Sequence, residues 1–149
     1  MAVLVTLILG TLGARLVGWL GVDYVDSWPQ AVAVGLAAMF VMTGVAHFVP
    51  GMRRDMIAIV PPRLPTPGLL VTITGMLELL GAVGLLYPPT RVAAAVGLFA
   101  LMLVMFPANV YASRMPNPPK SMTSRLDVRT VEEAIYLGAA VVVGLGGIQ

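Results

Sequence analysis

One carboxylate sits where apolar sequence should exclude it. Glu78 lies in the middle of residues 68–87, GLLVTITGMLELLGAVGLLY, an otherwise largely apolar stretch. A bilayer span needs about 20 mostly apolar residues to cross roughly 30 Å of hydrocarbon. Ten residues in, Glu78 is roughly 15 Å deep at 1.5 Å per residue. An acid there costs roughly 2.5 kcal/mol or more unless it faces protein, water or a partner. Burial also suits such a group to general acid or base work. Its bland alternative is a hydrogen-bonded acid that only fixes helix packing. His47, the one histidine, follows Thr43 by a helical turn near the end of the second apolar run. Asn109 stands two residues after Pro107 near the end of the fourth, and Glu132 and Glu133 open the last. Together these groups could form a polar pocket in one leaflet with Glu78 as its floor. Arg15, about 10 Å from the end of the first run, either pairs with Glu78 or reaches the headgroups with its long side chain.

The composition sets the solvent these residues meet. Of 149 residues, 58% are hydrophobic and 11% charged, and the mean hydropathy is +0.93. Soluble domains carry about 25% charged residues, so the chain reads as an all-α, polytopic transmembrane bundle in a single domain, residues 1–149. Its formal charge of +2 lies in short loops, where membrane orientation explains it, and no nucleic-acid partner is implied. The absence of cysteine excludes a thiol redox pair or an iron–sulfur site on this chain. A lone histidine with scattered acids is a poor metal or haem site, and there is no HExxH. These residues imply no cofactor held on the chain itself.

Five spans are expected, at about residues 2–22, 30–49, 68–87, 90–112 and 131–147. The first run has no basic n-region or clear cleavage site and reads as a retained span, with Gly10 and Gly13 as candidate packing positions. Trp19, Tyr24 and Trp28 suit an aromatic belt. Between spans two and three, MRRDMIAIV places Met52, Met56, Ile59 and Val60 opposite the charges, the pattern of a short helix in the interface. Prolines 61, 62, 65 and 67 then forbid a continuous helix into span three. In span three, Gly75, Glu78, Gly81 and Ala82 share one stripe, whose small residues admit a close neighbour. Pro107 should loosen span four beside Asn109 by freeing the carbonyl of Leu103. The last run, short for a span, has an interfacial segment as its alternative. Basic residues gather in the second and fourth loops, so those loops belong in the cytoplasm. Five spans then put the N-terminus inside and the C-terminus outside.

Several short stretches carry a resemblance. Gly44-x-x-His47-Phe48, Val60-Pro-Pro-x-Leu-Pro65, Gly75-x-x-Glu78, Pro88-x-x-Arg91 and Phe106-Pro-Ala-Asn-x-Tyr111 make residues 44–113 resemble the DoxX-like family of small bacterial membrane proteins. The resemblance implies a four-helix membrane bundle in the bacterial inner membrane, here with one extra span. It marks His47, Pro61, Pro62, Glu78, Pro107, Asn109 and Tyr111 as signature positions. Some relatives are associated with quinone-linked oxidation or oxidoreductase complexes. The expectation is a lipid-embedded pocket for a lipophilic small molecule, a quinone or isoprenoid. Glu78 and His47 handle protons, and Asn109, Tyr111, Thr43, Arg15, Glu132 and Glu133 contact the ligand. Such a protein would work as the membrane subunit of a redox partner, and a homo-oligomer is compatible. The scattered His, Glu and Asn also resemble the pocket of the emopamil-binding sterol isomerases. A non-redox isomerase or hydratase, and a non-catalytic scaffold or chaperone-like protein, are the alternatives.

Overall fold

The computed structural model describes residues 1–147. Among the described residues six α-helices form one bundle: α1 (Ala2–Trp19), α2 (Trp28–Ala46), α3 (Pro50–Ala58), α4 (Pro67–Leu86), α5 (Arg91–Ser113) and α6 (Leu126–Gly146). α1, α2, α4 and α5 are each long and apolar enough to cross a membrane. Their outer faces carry large apolar side chains, with Leu80 69% and Val104 74% exposed, a surface that water would penalise and acyl chains would not.

Local sequence sets the ends. Ser27 and Gln30 form a reciprocal capping box at the start of α2, with Pro29 in its first turn, so two otherwise unpaired backbone donors are satisfied. The proline-rich stretch after α3 ends where Pro67 opens α4, preceded by Thr66 in the left-handed region at φ 48°. α3 occupies the stretch read as a short amphipathic helix. Met56, and Ile59 just past its end, line a cavity in the bundle, so the segment faces the bundle as well as the surface. α5 continues unbroken through Pro107 to Ser113.

α2 is the central helix, packed against α1, α4 and α6, and α5 lies against α4 and α6. The core joins Leu36, Met39 and Phe40 of α2, Ala82 and Leu85 of α4, Leu98 and Met102 of α5, and Tyr136, Ala140 and Val143 of α6. Small residues allow the close approaches. A Cβ at Gly10 would lie 2.9 Å from the Cα of Gly35, and one at Gly35 would lie 2.7 Å from the Leu7 carbonyl oxygen. Gly13 has open space around it and packs nothing. On α4 the buried stripe runs Val71, Gly75, Glu78, Ala82 and Leu85, so the acid faces inward.

The last apolar run is part of a longer helix. α6 begins at Leu126, five residues before the expected start, and at 21 residues it is about 31 Å long. Its final turn reaches the first turns of α2 and α5, because a Cβ on Gly146 would fall on the Pro29 ring and one on Gly147 would lie 2.5 Å from Val92. α6 therefore runs the full height of the bundle. The charged Arg129, Glu132 and Glu133 in its first half set it apart from the four apolar helices.

Candidate functional site

The ends of α2 and α5 and the beginnings of α1, α4 and α6 meet at one end of the bundle. They enclose a cavity of about 390 Å³ under α3, within the size range of small-molecule sites. Its wall is mainly apolar, including Val3, Phe40, Val71 and Met105, and polar groups from α2, α4, α5 and α6 break that wall.

On one side stand Thr43, His47 and Glu78. The Thr43 hydroxyl donates to Glu78 Oε2 at 2.6 Å. His47 Nδ1 lies 2.8 Å from the Thr43 carbonyl oxygen. A carbonyl only accepts, so Nδ1 carries the hydrogen and a neutral ring leaves Nε2 as an acceptor. Nδ1 is 3.8 Å from Glu78 Oε2, beyond hydrogen-bond range but close enough for the two groups to sense each other's charge. Both side chains are almost fully buried, at 4% and 5% exposure. Gly75 and Gly44 make this geometry possible, since a Cβ on Gly75 would lie 2.5 Å from that of His47 and one on Gly44 2.8 Å from Leu79. Arg53 of α3 ties the corner, donating to the His47 carbonyl at 3.2 Å and to Gly68 and Thr72 at 2.9 Å each.

Across the cavity, Arg129 donates to Asn109 Oδ1 at 2.7 Å, to the Met122 carbonyl at 2.7 Å and to the Ser124 carbonyl at 3.0 Å. Because arginine is donor-only, the oxygen of Asn109 must face it, and the amide nitrogen is left to donate elsewhere. The guanidinium is a cation at neutral pH. Glu132 meets the terminal ammonium of Met1 at 2.9 Å. Glu133 Oε1 and the Tyr136 hydroxyl are enclosed and have no hydrogen-bond partner; both residues line the cavity.

Six of the eight residues singled out from the sequence thus surround one cavity: Thr43, His47, Glu78, Asn109, Glu132 and Glu133. Two do not. Arg15 makes no ion pair with Glu78; its Nη1 lies 3.3 Å from Asp26 Oδ1 and its guanidinium packs 5.1 Å from the Trp19 ring and 5.7 Å from Trp28. Asp26 lies on the short connection just beyond α1, and the two tryptophans offer ring faces a cation favours. A mid-bundle carboxylate offers neither. Tyr111 is half-buried on α5 outside the cavity wall, because two residues beyond Asn109 a helix has turned by about 200°.

Arg129, Tyr136 and Arg53 were missed. The sequence signal for the first two was helical spacing: Arg129, Glu132, Glu133, Tyr136, Ala140 and Val143 recur at three and four, one stripe if the helix starts at Leu126. Among the described residues no group of three histidine, cysteine or acidic side chains is arranged to hold a metal ion. A larger groove of about 540 Å³ runs between α4 and α5, but leucines, valines, glycines and alanines dominate its lining. It offers little to orient a ligand, whereas the convergent polar groups are in the smaller cavity.

The model of a family described as a domain of unknown function, DUF8561, matches residues 36–141. That span takes in most of α2, all of α3, α4 and α5 and much of α6, hence every polar group on the cavity wall. No curated protein and no solved structure matches the chain.

Proposed function

The chain belongs to the DUF8561 family, and we propose that it is a bacterial inner-membrane protein that binds a lipophilic small molecule in the cavity beneath α3. The observation that carries this reading is the convergence of polar side chains from four helices on one apolar-walled space of about 390 Å³. Convergent polar groups in an apolar pocket are what a lipophile with a polar head requires. Keeping them without such a role would cost stability, since each must be compensated in hydrocarbon. Glu78 and His47, 3.8 Å apart, handle protons, with Thr43 holding both in place. Asn109, its oxygen fixed by Arg129, orients the ligand.

The resemblance of residues 44–113 to the DoxX-like family supports a quinone or an isoprenoid as the ligand. It also supports work beside a redox partner that carries the electrons. Basic residues at positions 53, 54, 63, 114, 120, 125 and 129 support a cytoplasmic orientation for the cavity end of the bundle, with α6 as a fifth span. The closeness of His47 and Glu78 favours one other reading, a non-redox isomerase or hydratase in which these two act as acid and base. Mass spectrometry of gently extracted protein tests the binding reading directly. A co-purifying quinone or terpenoid that is lost in a cavity-filling Ala108→Phe variant is the expected result. Protein that carries nothing beyond bulk phospholipid sinks it.

A further inference from the structure

We infer that the ligand's polar head is a hydroxyl held on the α6 side of the cavity, between the Tyr136 hydroxyl and Glu133 Oε1, so that the site takes a lipophilic alcohol or phenol. This rests on the cavity being a ligand site. Tyr136 is nine-tenths buried, at 9% exposure, and its hydroxyl has no partner; neither has the enclosed Glu133 Oε1. Three residues apart on one helix, the two side chains are neighbours on the same face, and both line the cavity. Buried polar groups are almost always satisfied.

Each of the other polar side chains of the wall already has at least one partner within the protein. Thr43 takes one oxygen of Glu78, and the Thr43 carbonyl takes Nδ1 of His47. Arg129 directs Nε and both terminal nitrogens at protein oxygens, and Glu132 meets the terminal ammonium. A hydroxyl accepts from Tyr136 and donates to Glu133 through a single atom. A carbonyl or ether accepts only, which leaves Glu133 unsatisfied. A carboxylate adds a like charge beside Glu132 and Glu133, and an ammonium can donate to both groups but leaves the Tyr136 hydroxyl hydrogen without an acceptor.

Matched probes test this on the full chain in uncharged maltoside micelles. One pair is farnesol and farnesyl methyl ether; the other is decylhydroquinone, kept anaerobic, and its dimethyl ether. Affinities follow from the concentration dependence of thermal unfolding. Each hydroxyl probe binds about tenfold more tightly than its ether, as expected when a hydrogen bond to a charged or buried group is lost. The tighter of the two hydroxyl probes identifies the source as isoprenoid or aromatic. In Tyr136→Phe, which removes an unpartnered hydroxyl and so leaves folding intact, the ratio falls to threefold or less. Ethers that match their hydroxyl partners overturn the inference while the cavity reading stands, because the tails still bind. A ratio that survives both Tyr136→Phe and Glu133→Gln also overturns it. If neither pair stabilises the protein, the cavity reading fails with it.

Discussion

Replacing Gly75 by alanine places a methyl group where α4 and α2 meet beside the site. Its carbon would lie 2.5 Å from His47 Cβ, 2.9 Å from Cγ and 3.1 Å from Phe48 Cε2, about 1 Å inside ordinary carbon contact at its worst. His47 Cβ is one bond from the α2 backbone, so no flexible tip can swing aside and the helix end itself must move. Overpacking of this kind costs about 1–3 kcal/mol, against a gain of about 1 kcal/mol from replacing glycine within a helix. Gly97→Ala isolates that gain, because nothing lies within 4 Å of its new carbon. With about 2–4 °C per kcal/mol for a chain of this size, Gly75→Ala should melt on the order of 2–12 °C below Gly97→Ala in detergent. The same shift pulls His47 from the Thr43 carbonyl, so affinity for the lipophilic ligand falls too. Equal melting temperatures, within about 1 °C, would refute the tight α2–α4 contact on which the site geometry depends.

Other perturbations separate packing from chemistry. Glu78→Gln keeps an acceptor for Thr43 and removes the titratable group. Its stability should stay within about 1 kcal/mol of the parent, while ligand binding loses any pH dependence that resides at Glu78; a large drop in melting temperature would favour the scaffold role. Arg129→Met strips donors from Asn109, Met122 and Ser124. It should cost about 1–3 kcal/mol and speed proteolysis within residues 114–125, and an unchanged cleavage rate counts against Arg129 holding that segment in place. Asp26→Asn removes the partner of Arg15 at a site where Asp26 is 66% exposed. Exposed pairs contribute about 0–1 kcal/mol, so melting should barely move and ligand affinity should be unchanged. Altered affinity there would mean that Arg15 communicates with the cavity after all.

Long-range pairing is what the linear order of residues could not specify. Arg15 had two chemically reasonable partners, and the choice of Asp26 came from a short outer connection that brings the carboxylate and two indole faces around one guanidinium. The start of α6 was hidden for a related reason. Arg129, Glu132 and Glu133 look interfacial when read as isolated charges, yet tertiary packing folds them against α5, where Asn109 and two loop carbonyls compensate Arg129. Tyr136 belongs to the same stripe, and only the position of α6 against α2 and α5 makes it a cavity residue.

Composition and apolar run length alone determined that the chain is helical and bundle-forming, because hydrocarbon-length segments with few charges can satisfy their backbones only internally. They also marked Glu78, His47, Thr43 and Asn109, since a polar group in such a run is costly wherever it points. The tertiary structure decided which of these groups share a cavity, that α3 contributes to its wall, and that Glu133 and Tyr136 face it without partners. The physical reason is range: helix formation and burial follow from neighbours three or four residues apart, whereas a site is made by side chains from helices whose relative rotation depends on how all their surfaces pack at once.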